Sequence, residues 1–235
     1  MKKLATATGS AILLVLSAFS VFAQTDSRDK TLKEIEAKRA ELAALEKRFL
    51  SPSEEDKVTY ADFLRQPDTG LTRLLPREKY DNDKTLTIRG GGAYYSFSRL
   101  THEYGYGSDI ELAQGFLSTG FAGADYGLLT SYGNIPLEDI TVEGVPFLAN
   151  YVPAEELPKA RVEQRKWGES STVDDITYTR RLPLKKNSTY LLRSVNYDNS
   201  DVLVAFKVVR VDDDGSATIL WKLLKKYPTP KLARK

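Results

Sequence analysis

The chain has 235 residues, 34 of them Lys or Arg against 32 Asp or Glu, with a single histidine and no cysteine. The missing thiols exclude disulfides, thiol catalysis, cysteine metal sites and a lipid-bearing cysteine. The formal charge of +2 is accounted for by Lys2 and Lys3, and a chain otherwise balanced lacks the basic field that a nucleic-acid binder needs.

Lys2 and Lys3 precede an apolar stretch from Ala11 to Phe22, and Val21-Phe22-Ala23 places small or compact residues where a signal peptidase reads. This pattern predicts a secretory signal peptide over 1–23, cleaved after Ala23, and therefore a periplasmic or secreted protein exported across a bacterial-type inner membrane. The alternative, an uncleaved anchor, meets an apolar run shorter than the roughly 18–20 residues of a spanning helix, so no transmembrane segment is expected in the mature chain. What remains, about 210 residues, is long enough for a domain with a real core.

Residues 24–66 form the predicted helical segment. From Asp29 to Leu50 the residues are mostly good helix formers, and Leu32, Ile35, Leu42, Leu45 and Phe49 recur on one stripe. Asp29 with Lys33 and Glu34 with Lys38 stand four apart, acid first. Two readings stay open: the helix packs on its own domain, or residues 29–50 self-associate as a short coiled coil whose seam Arg39 interrupts. Ser51-Pro52-Ser53-Glu54 reads as a cap with proline at the first helical position, predicting a second helix from Pro52 to about Arg65 and hence a helical hairpin. Gln66-Pro67-Asp68-Thr69-Gly70 ends it, and Leu71 to Asp83, without a clear period, is expected to be a connector.

From about Leu86 the period becomes two. Ala93–Tyr104, Asp109–Ser118 and Ala124–Tyr132 read as strands joined by glycine turns, and ten of the fifteen glycines lie between Gly90 and Gly133. Pro153–Trp167 is a later helix that Pro158 is expected to split. Ile176–Leu182, Thr189–Val195, Asp201–Val211 and Ser216–Leu224 complete a meander. With Asp214-Gly215 as a two-residue turn, Val208 faces Trp221, Phe206 faces Leu223, and Lys207 lies beside Lys222 on a face expected to be wet. The predicted class is α+β, mainly β: an N-terminal helical hairpin, then an antiparallel β-sandwich or partly open barrel of about 7–8 strands over 67–228, and a basic flexible tail over 229–235. An outer-membrane barrel shares the glycine, tyrosine and alternation, but the N-terminal helices and basic C-terminus count against it.

His102, the single histidine, must carry any imidazole chemistry. Ser98 on the same strand face is roughly 13 Å away, so the two form no local nucleophile–base pair, and a hairpin at Gly105-Tyr106-Gly107 would set His102 opposite Ile110 as a hydrogen-bonded sheet residue. Glu103, Asp109, Glu111 and Asp125 are the acids from which a hydrolytic pair would come, although acids near strand ends commonly solvate turns. Tyr94, Tyr95, Tyr104, Tyr106, Tyr126 and Tyr132 supply an aromatic surface suited to sugar rings or a protein partner, or else core and sheet packing. Arg89-Gly90-Gly91-Gly92 lacks the Lys-Ser or Lys-Thr of a phosphate loop and reads as a flexible turn, and Asp212-Asp213-Asp214-Gly215 lacks calcium-loop spacing. No cofactor or metal is expected. The leading expectation is a non-catalytic binding or structural module of the envelope that contacts a protein or polysaccharide. The alternative is a carboxylate-dependent hydrolase of an envelope polysaccharide or peptide, using Glu103, Asp109 or His102.

Overall fold

The computed structural model of the chain describes residues 10–81, 86–105 and 107–233, with side chains from residue 27 onward; residues 1–9 of the predicted signal peptide, Tyr106, and Arg234 and Lys235 of the predicted tail lie outside the described residues. Two units result, Met1–Phe49 and Leu50–Lys235. The first is formed by α1 (Ser10–Leu50), a stretch without proline or glycine. Within it Lys38 pairs with Glu41 at 2.9 Å rather than with Glu34. Leu32, Ile35, Leu42, Leu45 and Phe49 are between 41% and 52% exposed. Among the described residues no helix is long and apolar enough to cross a membrane.

In the second unit the capping residue is Ser53 rather than Ser51. Its Oγ accepts the Asp56 N–H at 3.1 Å, so α2 (Glu54–Thr59) begins two residues after the expected Pro52. The chain turns at Tyr60 into α3 (Ala61–Leu64), which breaks the single helix expected to reach Arg65 and lets both Tyr60 and Phe63 reach one core. Arg210 fixes this segment, with Nη1 2.9 Å from Ser53 Oγ and 2.6 Å from Asp56 Oδ2.

The expected connector after Leu71 is partly a strand, β1 (Thr69–Leu74), followed by α4 (Arg77–Tyr80). Its period is hidden because Gly70 lies under the indole of Trp221: a Cβ at Gly70 would sit 2.2 Å from Trp221 Cζ2. The bulk that an apolar residue would supply comes from the neighbouring strand. Gly70→Ala is therefore expected to cost about 1–3 kcal/mol through overpacking, read by urea unfolding. An unchanged midpoint would contradict that packing.

The aromatic segment from Ala93 contracts to β2 (Tyr94–Tyr95) with an isolated bridge between Ser96 and Thr101. The single strand expected over Asp109–Ser118 is a hairpin, β3 (Ile110–Ala113) and β4 (Phe116–Ser118), because Gln114 (φ 53°) and Gly115 (φ 72°) are both left-handed, as a two-residue turn requires. Tyr95, not His102, faces Ile110. Then follow β5 (Tyr126–Gly133), α5 (Pro146–Asn150) and α6 (Leu157–Gly168). Pro158 lies in the first turn of α6, where a missing N–H costs nothing, so it starts the helix instead of splitting it.

The stretch Ile176–Leu182 divides between two sheets. β6 (Ser171–Val173) and β7 (Ile176–Tyr178) make a small hairpin, and β8 (Arg181–Pro183) pairs with β4. β9 (Thr189–Asn196), β10 (Ser200–Val211) and β11 (Ala217–Lys226) complete the chain. One antiparallel sheet has the order β1-β11-β10-β9-β5 and the other β2-β3-β4-β8.

The β10–β11 register differs from the expected one. Asp212 N–H donates to the Ser216 carbonyl at 2.8 Å, making the turn three residues long, and a second irregularity falls between Val208 and Arg210. Phe206 consequently faces Trp221, Val208 faces Ile219 and Lys207 faces Leu220. Two one-residue slips restore side-chain parity, so Phe206 and Val208 keep the apolar face they were assigned. The opposite face is not wet. Val202, Val204, Phe206 and Val208 enter a core shared with Tyr95, Ile110, Leu112 and Leu117 of the second sheet. Leu203, Ala205 and Leu220 enter another, with Leu148 of α5 and Ala160 and Trp167 of α6. A strand with a near-continuous apolar run is one covered on both sides. Lys207 escapes to Asn134 Oδ1 at 2.9 Å. The described part of the predicted flexible tail is held twice, by the Asp198 N–H to the Pro230 carbonyl at 2.9 Å and the Ala233 N–H to the Glu155 carbonyl at 2.7 Å.

Candidate functional site

Where β2 meets β3, Tyr94 stands directly opposite Glu111. Its hydroxyl donates to Glu111 Oε1 at 2.7 Å, and the same oxygen accepts from Arg77 Nη1, on α4, at 3.0 Å. Arg77 Nε also donates to Asp81 at 2.9 Å. The bond to Asp81, with help from Glu111, raises the guanidinium above its ordinary value, while burial and the Glu111 carboxylate raise the Tyr94 phenol, so Arg77 stays charged and Tyr94 a neutral donor. The Tyr94 ring touches Tyr104 at 4.6 Å and meets Phe121 edge-on at 5.2 Å.

The glycine at 90 makes this grouping possible. It has φ +87°, and a Cβ there would lie 2.5 Å from the Tyr94 ring and 2.9 Å from Tyr104 Cβ. The loop can thus lie down on both tyrosines, leaving the Arg89 guanidinium 5.0 Å over the Tyr104 ring. Arg180, between β7 and β8, completes the rim of an open cleft of about 400 Å³ that Phe121 and Gly120 also line.

The six tyrosines singled out by the sequence do not form one surface. Tyr94 and Tyr104 share the cleft. Tyr95 is buried against Phe97, His102 and Trp221, its phenol pushed up to about 12 by burial. Tyr126 is buried in the other core, its hydroxyl 2.8 Å from that of Tyr151, and Tyr132 packs against the same core. Tyr106 lies outside the described residues. Arg77, Arg180 and Phe121 carried no sequence signal of their own, and Arg89 stood only as the start of a glycine turn.

The catalytic candidates are dispersed. His102 Nε2 lies 2.8 Å from the Arg73 carbonyl, which can only accept, so this nitrogen carries the proton; burial lowers the imidazole below its ordinary value. Glu103 is exposed. Asp109 has no exposed surface and accepts from Phe97 N–H at 2.7 Å and Asn196 Nδ2 at 2.8 Å. Asp125 accepts the Tyr197 N–H at 2.9 Å. Burial lifts each of these two carboxyls to about 6. Asp109 holds Asn196, the last residue of β9, and Asp125 holds the next residue, Tyr197; neither lines the cleft. Among the described residues no group of three His, Asp or Glu side chains is placed to hold a metal ion.

Comparison with protein-family models, curated proteins and solved structures finds no match for this chain.

A larger groove of about 620 Å³ runs between the loop after α5 and residues 227–233. Its charged floor is already engaged: Arg193 Nε and Nη2 reach Asp201 at 2.5 and 2.8 Å, Nη1 the Leu148 carbonyl at 2.9 Å, and Tyr227 covers the guanidinium at 3.1 Å. With every nitrogen of Arg193 bonded inside the protein, the groove offers a ligand less unspent chemistry than the smaller cleft.

Proposed function

We propose that this chain is exported to the bacterial envelope and acts there as a non-catalytic binding module, making its contact through the cleft of Tyr94, Tyr104 and Phe121. Export is supported by Lys2 and Lys3, the apolar Ala11–Phe22 run and Val21-Phe22-Ala23. The observation that carries the binding reading is the cluster of three rings with a half-buried Tyr104 and Phe121 in an open cleft, held by a glycine whose replacement would collide with the Tyr94 ring and the Tyr104 Cβ. Binding sites of this kind join apolar surface to a few placed polar groups. The hydrolytic alternative gains no support from the geometry, since Asp109 is sealed off and Glu111 is tied to Tyr94 and Arg77. The exposed stripe of α1 supports self-association through residues 29–50 as a second contact.

The test is capture from envelope extracts by the purified chain against a Tyr104→Ala, Phe121→Ala variant whose thermal unfolding is checked alongside. Capture of the same component should fall at least tenfold in the variant. Equal capture by a folded variant removes the cleft from the account.

A further inference from the structure

We propose that the cleft recognises an acidic oligosaccharide, a pyranose chain bearing a carboxylate, with Arg89 and Arg180 taking the carboxylate and Tyr104 and Phe121 the sugar face; this rests on the binding reading above. The charges of the cleft select the anion. Three guanidinium groups line it against two carboxylates, those of Asp81 and Glu111. Both carboxylates are spent on Arg77, at 2.9 and 3.0 Å. Arg89 and Arg180 are exposed and form no ion pair among the described residues. The described lining therefore carries a net charge of +1, with two unpaired guanidinium groups at the rim whose planar donors match a carboxylate. One surplus charge suits a monoanion better than a phosphate monoester, which carries about −1.5 to −2 at neutral pH.

The rings select the rest of the ligand. Tyr94 is sealed into the back wall with its hydroxyl committed to Glu111, whereas Tyr104 and Phe121 remain half-buried. A tyrosine plane backed by a guanidinium gives a flat, apolar surface with a polar edge, the complement of a sugar ring with its hydroxyl rim. The volume, about 400 Å³, lies near the low end of small-ligand sites, about 300–1,000 Å³. It is suited to one end or a short internal stretch of a chain rather than to a folded partner. An acidic peptide could satisfy the arginines but would leave the ring surface unexplained.

Calorimetric titration of the purified chain with tetragalacturonate, its methyl ester, glucose 6-phosphate and a tetraglutamate peptide separates these ligands. Tetragalacturonate is expected to bind, with the ester at least tenfold weaker; Arg180→Gln should weaken the acid about tenfold while leaving the ester unchanged, and Arg89→Gln, which also removes the group behind the Tyr104 ring, should weaken the acid by more than the ester. Raising the salt should weaken the acid alone. Equal binding of acid and ester, preference for the phosphate or the peptide, or no binding of any saccharide overturns the inference. If saccharide binding is absent while envelope capture still depends on Tyr104, the binding reading stands and only the ligand class falls. If capture is indifferent to Tyr104, the binding reading itself fails.

Discussion

Asp201→Ala is expected to lower the unfolding free energy by about 3–5 kcal/mol, the largest loss anticipated for a single side chain here. Arg193 and Asp201 are 1% and 2% exposed and meet through two bonds at 2.5 and 2.8 Å on neighbouring strands β9 and β10. Removing the carboxylate leaves a buried guanidinium with only the Leu148 and Tyr151 carbonyls and the Tyr227 ring for company. The cost comes from stranding that charge rather than from the intrinsic strength of the pair, so the double replacement Arg193→Met, Asp201→Leu should recover most of the loss. Urea unfolding of the single and double variants checks this. A single variant within about 1 kcal/mol of the parent would mean that the pair is hydrated.

Stability is expected to fall by about 3 kcal/mol as the pH rises from 4 to 7, the reverse of the usual acid sensitivity. Burial raises Asp109 and Asp125 to about 6, and at Asp201 burial outweighs the lowering effect of Arg193. With folded values above the unfolded ones, the native state holds more protons between about pH 4 and 6, and stability present below that window is lost as the pH climbs through it. Asp109 raises Asp125 through space, so the contributions of the two are shared and do not simply add. One group opposes them within this range, and another acts only below it. His102 is lowered by burial, so its contribution is lost as the pH falls through its unfolded value near 6.5. Burial would raise Asp214, but bonds from Tyr80 and Ser216 bring it down to about 2, a contribution lost below about pH 4. Chemical denaturation across this range should show the decline, and carboxyl NMR should place the Asp109 midpoint near 6. A midpoint below 4 would show that the hydrogen bonds from Phe97 and Asn196 outweigh burial.

The long helix and the β10–β11 pair were legible because their periods persist over many residues, 3.6 in one and two in the other. β1 was not legible, because the side chain that fills its inner face at Gly70 belongs to Trp221 on another strand. The Asp109–Ser118 hairpin was missed because Gln114 takes a left-handed φ that its residue type rarely adopts. The wet face assigned to Lys207 failed for a different reason: α5 and α6 cover it, and one lysine at the margin of an apolar strand says little about the layer above. The cleft was visible only in part. Tyr94 and Tyr104 stood out by composition, but Arg77, Arg89 and Arg180 come from separate elements, and nothing in local spacing brings them together.

The cleft is tested most directly by a photo-crosslinking amino acid, p-benzoylphenylalanine, placed at 104 and, separately, at Val152, an 81% exposed position on the larger groove. Irradiation in intact envelopes should attach a component to the chain labelled at 104 and leave the chain labelled at 152 bare. Attachment at 152 with none at 104 would contradict the account.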